Sequence, residues 1–307
     1  MRNVLVIGYS QTGQLTQITD AIMGPLKTAE NINIDYHQVV PKTAYSFPWS
    51  FFDFFQIMPE SVYMKPIELS SRAPIQKKYD LIIVSYQVWF LSPSLPISSF
   101  LQTEDAKILF KNTPTITVLG CRGMWLTAQE KMKGLLNNLD AKLIDNIVLA
   151  DECGAGFSFL ATPLWMFTGK KKPWSWVPKA GVSDEDITDA KRFGDAMIKR
   201  FEDVELNKKD LSEPIMKGLQ AVKVNEKFIF SEKIGHRSFK VWGKLLMLLG
   251  PQNTIRRKLG LCFYTTFLLA LIITVVPITA LIIKLLSSIF KEKISKQKQY
   301  YAQPSGE

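Results

Sequence analysis

Ser10, Gln11, Thr12, Gly13 and Gln14 are the residues of this 307-residue chain best equipped for chemistry. They follow directly on Val4-Leu5-Val6-Ile7, a run of apolar, mostly branched residues that predicts a strand buried on both faces. Beyond Gly13, the residues Leu15, Ile18 and Ile22 recur at helical spacing. A buried strand thus feeds a turn of hydroxyls and amides that opens a helix. Such a turn aims backbone N–H groups, two hydroxyls and the positive helix end at one point, which suits a phosphate. The turn holds no lysine, and its spacing is neither the nucleotide P-loop nor G-x-G-x-x-G. A plain strand–turn–helix connection would use the same residues.

Two further stretches share this layout. Asp80 precedes the apolar run Leu81-Ile82-Ile83-Val84, which ends in Ser85, Tyr86, Gln87, Val88 and Trp89. Thr115-Ile116-Thr117-Val118-Leu119 runs into Gly120, Cys121, Arg122, Gly123, Met124 and Trp125. In an open parallel sheet, ligands sit beyond the carboxyl ends of the strands. An aromatic loop there suits a planar ring, and paired glycines let backbone approach it closely. A lone thiol such as Cys121, with no nearby partner, is more often incidental than redox-active. Arg122 is either a positive charge for an anionic group or a surface residue.

These elements must be positioned by a sheet. The pattern gives five strands, with 32–39 and 142–150 as the second and fifth, and helices between them. A helix is expected at 126–139, and Ser183 with Asp184, Glu185 and Asp186 caps another that runs to about Val204. His37, near the end of the second strand, reads as structural. Residues 41–77 are crowded with aromatics, including Phe47, Trp49, Phe51, Phe52, Phe54 and Phe55. They are a packed covering helix, an apolar lid or channel for a greasy substrate, or a surface that meets a membrane.

Charge separates the chain into two parts. From Lys217 onward there are 15 basic and 4 acidic residues, although the whole chain carries only +10. A neutral domain with a basic C-terminal third points to anionic lipid rather than nucleic acid. Mean hydropathy is +0.04, high for a purely soluble protein. The 3 cysteines (Cys121, Cys153, Cys262) lack metal spacing and do not form a disulfide framework; His37 and His236 lie far apart. Residues 207–236 read as a polar linker with a β-prone piece at 227–230, and 237–250 as an amphipathic interfacial segment. The 25 residues 259–283 carry no charge and are long enough to span a bilayer. They are expected to form a transmembrane helix, with Pro277 as a kink or as the break of a re-entrant hairpin. A basic tail, 284–307, follows.

Ser10-Gln11-Thr12-Gly13, directly after the first strand, resembles the phosphate loop of flavodoxin-like proteins, which hold FMN. The resemblance implies a doubly wound α/β fold for residues 1–206, with strand order 2-1-3-4-5. A second resemblance covers almost the whole chain. Tyr9-Ser10-Gln11-Thr12-Gly13-Gln14-Leu15, the Phe47-Pro48-Trp49…Phe54…Pro59-Glu60-Ser61 segment and the apolar tail are similar to the bacterial dialkylresorcinol condensing enzyme family. Membership implies an FMN-dependent oxidoreductase at the inner membrane, with its catalytic domain in the cytoplasm. It would aromatise a dialkylcyclohexane-1,3-dione to a dialkylresorcinol, a precursor of flexirubin-type pigments, beside a ketosynthase-type partner. The cofactor contacts implied are Ser10, Gln11, Thr12, Gly13, Gln14, Leu15, Ser85, Tyr86, Gln87, Trp89, Gly120, Cys121, Arg122, Gly123 and Trp125. Tyr86 is then the candidate proton-transfer group, and Arg122 stands near the substrate enolate. Flavodoxin-like reductases often pair across the flavin site, so a homo-oligomer is also implied. A membrane-anchored NAD(P)H:quinone reductase, a flavodoxin-type electron carrier and a scaffold with an empty site are the alternatives.

Overall fold

The computed structural model describes residues 1–74, 77–151, 154–172, 174–206, 209–286 and 291–306. Cys153 lies outside them. The chain opens with β1 (Arg2–Gly8), α1 (Gln14–Lys27), β2 (Ile32–Gln38), α2 (Phe51–Gln56), α3 (Met58–Val62) and β3 (Leu81–Tyr86). A small ribbon, β4 (Val88–Trp89) and β5 (Ser92–Pro93), leads to α4 (Leu95–Phe100) and α5 (Glu104–Phe110). Then come β6 (Pro114–Cys121), α6 (Leu126–Asn138), β7 (Lys142–Ala150), α7 (Gly154–Thr168), α8 (Asp184–Asp189) and α9 (Lys191–Glu205). The C-terminal third is helical: α10 (Glu226–Leu248), α11 (Ile255–Leu286) and α12 (Lys291–Ala302).

The large sheet has the order β2-β1-β3-β6-β7, and every neighbouring pair is parallel. Counted among its own strands this is 2-1-3-4-5, the flavodoxin-like order, as expected. Alternation along each strand divides the core in two. Leu5, Ile7, Ile82, Val84 and Tyr86 face α4, α5 and α6, whereas Val4, Val6, Leu81 and Ile83 face α1, α8 and α9. His37 is buried against Phe100, with ring centroids 5.1 Å apart, in keeping with a structural role.

Three expectations change. The helix capped by Ser183, whose Oγ accepts from Asp186 N at 3.0 Å, is two helices that meet at Ala190. Six helical steps would set Ile187 and Phe193 roughly 240° apart, and the break lets both face the same core. Residues 227–230 are helical, not β-like. Asn225 caps α10 by accepting from Lys227 N at 3.1 Å, and Ile229 and Glu232 bury one turn apart. Finally, α11 is one 32-residue helix that passes through position 277, so a hairpin broken there does not form. Within α11, the stretch Ile255–Thr274 is long and apolar enough to cross a membrane.

The outer edge of β7 is covered by returning chain, which removes an exposed ladder. Val148 N donates to Ala221 O at 2.8 Å. The buried Asp145 carboxylate accepts from Ile215 N at 2.5 Å and Met216 N at 3.3 Å, while burial pushes its pKa up against those bonds. Ser305 Oγ accepts from Asn146 N at 2.7 Å and donates to Asn146 O at 3.0 Å. Replacing Asp145 with Ala strands two backbone donors in the interior. Urea unfolding should show a loss of about 2–4 kcal/mol.

Candidate functional site

β1 stops at Gly8, and the chain turns through Tyr9 to Gly13, whose φ of +79° makes it the left-handed N-cap of α1. The amides of this turn brace it. Gln11 N donates to Gln87 Oε1 at 3.0 Å, tying the turns after β1 and β3 together. Gln11 Nε2 donates to Tyr45 O at 3.0 Å and Ser46 O at 2.8 Å, while the Tyr9 hydroxyl donates to Gln11 Oε1. Gln14 is held by Val182 through two bonds, each 3.1 Å, and Leu15 lies in the core. Ser10 Oγ stands apart from these. It is buried and has no hydrogen-bond partner among the described residues.

The second and third stretches reach the same edge, but their side chains divide. Ser85 is buried, with its hydroxyl 2.7 Å from that of Thr19. Tyr86 is fully buried and donates to Gln129 Oε1 at 2.5 Å; Gln129 Nε2 in turn donates to Thr117 Oγ1 at 3.1 Å. Burial, reinforced by Cys121, Glu232 and Glu130, holds the Tyr86 hydroxyl well above its ordinary value. A phenol so placed has no open path to a substrate, which corrects its assignment as a proton-transfer group. The signal was available in the strand, because position 86 continues the inward face of 82 and 84. Trp125 is likewise core. Cys121 is half-buried, and burial, then Glu232 and Asp151, push its thiol up. Gly120 packs on Ile18 of α1. Arg122 is half-exposed in the turn beside Gly123.

Residues 45–55 of the aromatic segment close over these carboxyl ends. Trp89 is its hub, with ring centroids 5.8 Å from Tyr9, 5.1 Å from Tyr45 and 5.7 Å from Trp49. A second group joins Phe54 to Phe90 at 4.9 Å and to Phe167 of α7 at 5.7 Å, and Phe90 to Phe239 of α10 at 6.0 Å. The edge-on and tilted pairings pack these rings into a cap. Trp49 N anchors it by donating to Met166 O at 2.9 Å.

Sequence reasoning missed the part played by α10, part of which read as a linker. Phe228 lies so close over Gly123 that a Cβ there would sit 2.4 Å from its ring. One turn on, the buried Glu232 carboxylate accepts from Leu126 N at 3.1 Å and Thr127 N at 2.8 Å, capping α6. His236 and Lys131 lie further along. Lys131 Nζ donates to Val62 O at 2.8 Å and Ser92 Oγ at 2.7 Å, and burial, then Lys240, bring it down to about 7. Burial, with Lys131 and Lys240 nearby, lowers His236 to about 4. The spacing of Phe228, Glu232 and His236, one helical turn apart each, is the signal that could have shown a buried helix face.

No protein-family model matches the chain, and no curated protein sequence does. Similar solved structures include a flavoprotein in complex with FMN from Lactobacillus acidophilus NCFM, 15% identical, covering 48% of this chain and 93% of that one at a TM-score of 0.37. A flavodoxin from the domain Archaea is 10% identical, covering 65% and 99%, also at 0.37. Oxidised flavodoxin 1 from Bacillus cereus is 13% identical, covering 65% and 98%, at 0.35. Likeness at this level carries no functional argument, and the fold assignment rests on the strand order itself.

Two measurements test the α10 packing. Gly123→Val should displace α10 and expose 226–248 to limited proteolysis, and Phe228→Ala in the same chain should restore protection. Free Lys titrates near 10.4. The folded chain, with Lys131 held down to about 7, therefore binds fewer protons between those values. Stability must accordingly rise with pH from about 7 to about 10. Lys131→Met should flatten that part of the urea-unfolding pH profile.

Proposed function

We propose that this protein is an FMN-dependent oxidoreductase that works on an apolar ring substrate at a membrane, converting a dialkylcyclohexane-1,3-dione to a dialkylresorcinol. The observation that carries the reading is the Ser10 hydroxyl, buried and without a hydrogen-bond partner among the described residues, in the turn that opens α1. The glutamines of that turn are committed to bracing, which leaves Ser10, Thr12 and the backbone around Gly13 to hold a phosphate. These residues fit the phosphate end of FMN. The turns after β3 and β6 lie at the same sheet edge, which is where a ring bound beside that phosphate would lie.

When bound, FMN supplies the two-electron acceptor for the two hydrogens by which the dione exceeds the resorcinol. A 1,3-dione is already acidic, so the chain's task is to hold an enolate and exclude water. Arg122 supplies positive charge for that anion. The cap built on Trp49, Phe54 and Trp89 keeps water out and takes up alkyl chains, each buried CH2 contributing about 0.8 kcal/mol. The exposed apolar faces of α10 and α11 support a membrane location, where such a substrate partitions. The resemblance to the dialkylresorcinol condensing enzymes supports the substrate class and a ketosynthase-type partner upstream.

The test is an absorption spectrum of the detergent-purified chain with chromatography of released cofactor. A flavin band and FMN are expected, and Ser10→Val with Thr12→Val should lower FMN retention at least about tenfold, the loss of two phosphate hydrogen bonds. Anaerobic addition of a dialkylcyclohexanedione should bleach the band. Bleaching by NAD(P)H alone would replace this reading with a quinone reductase, and a colourless chain that takes up no FMN would overturn both.

A further inference from the structure

We propose that α10 and α11 dock in the plane of an anionic lipid bilayer, with α11 along one leaflet and the C-terminal tail on the same side as the sheet. The inference rests on the membrane location in the reading above and specifies its form; it replaces a helix that spans the bilayer.

α11 is anchored at its beginning, and the chain that follows it is anchored again. At its beginning, the buried Arg257 donates through Nη2 to Gln56 O and to Glu60 Oε2, each at 2.6 Å. Leu261 and Tyr264 are buried with Met58 and Val62 of α3. Beyond its end, the tail is fastened to the sheet. Ile294 and Tyr301 pack on the core that contains Ala302, and the Tyr300 hydroxyl donates to Glu130 Oε2 at 2.6 Å. Ser305 then closes on Asn146 of β7.

Chain length sets the limit. The five steps from Leu286 to Lys291 reach at most about 18 Å. Three helical steps to Ile294 add about 4.5 Å. The far end of α11 therefore stays within about 23 Å of the folded body, short of the roughly 30 Å hydrocarbon core. A crossing would also pull Lys291, Glu292 and Lys293 back through lipid, which their charge does not tolerate.

The outward faces say what covers them. Leu259, Phe263 and Ile273 are 67%, 67% and 72% exposed and fall on one arc of α11. Val241, Leu245 and Leu248 form an exposed arc on α10, which is joined to α11 through Trp242. Exposed Arg237, Lys240 and Lys244 on α10 and Arg256 on α11 stand next to these apolar residues along the helices, and exposed Lys291 and Lys293 open α12. Apolar faces with basic borders fit the headgroup boundary of an anionic leaflet. A second copy packed on the same face would bring like charges together.

The test uses the full chain with Cys121, Cys153 and Cys262 changed to Ser and one new cysteine. Ser295→Cys reports the tail, and Asn31→Cys reports the sheet. The protein is bound to sealed vesicles of phosphatidylcholine and phosphatidylglycerol and treated with a membrane-impermeant maleimide. Both sites should label equally before detergent, and flotation should fall at least about tenfold without phosphatidylglycerol. Should the serine variants not fold, trypsin outside the vesicles must cut the unmodified chain at Lys296. A tail protected until detergent is added would overturn the in-plane arrangement and leave the membrane location standing. A chain that does not float, or forms an oligomer that ignores vesicles, would overturn both; the flavin spectrum is independent of either result.

Discussion

A chain of buried hydrogen bonds crosses the sheet and ties the candidate site to the tail. Tyr86 donates to Gln129, Gln129 to Thr117, Thr117 Oγ1 to Asn146 Oδ1 at 2.9 Å, and Ser305 pairs with the Asn146 backbone. Each member is buried, so removing one leaves its neighbour unsatisfied in a low-dielectric interior. The network fixes α6 against β3 and β6. It also gives the C-terminal residues one place to dock. The strand that carries the candidate ring-facing loop and the residue that ends the tail's path therefore belong to one polar structure.

The loops at the carboxyl edge are organised around this frame. Gln11 and Gln87 join the first and second loops, and Gln11 also holds the backbone of the aromatic segment at Tyr45 and Ser46. Trp89 collects the rings of Tyr9, Tyr45 and Trp49 above them. The aromatic segment is thus both core and cap: its rings bury one another, and in doing so they roof the sheet edge. Glu232 and Phe228 bring α10 onto the third loop, so the C-terminal helices take part in the site's walls.

The same connections bear on the membrane. An isolated apolar helix of this length would read as a span. The first turns of α11 are held on α2 and α3 and the chain beyond it on β7, and the proposed in-plane path rests on those anchors. Under the in-plane arrangement, the exposed apolar residues of α10 and α11 and the basic residues beside them meet the leaflet.

The sequence by itself determined the sheet. Strand positions and the turn at Ser10–Gly13 follow from short apolar runs and local turn chemistry, which act between residues close in the chain, while the strand order came with the flavodoxin resemblance. It also marked the three loops, because the carboxyl ends of alternating βα units lie together in any such fold. The orientation of Tyr86 was written in the alternation of 82, 84 and 86. What only tertiary structure decided was the role of long-range partners. Residues 227–230 have β propensity, yet become helix because Ile229 and Glu232 gain burial there, and packing outweighs a weak local preference. Glu232 meets the α6 N-terminus more than 100 residues away in sequence, and Ser305 meets Asn146 159 positions off. No local pattern encodes such pairings, and they are what fix the walls of the candidate site and the path of the long helix.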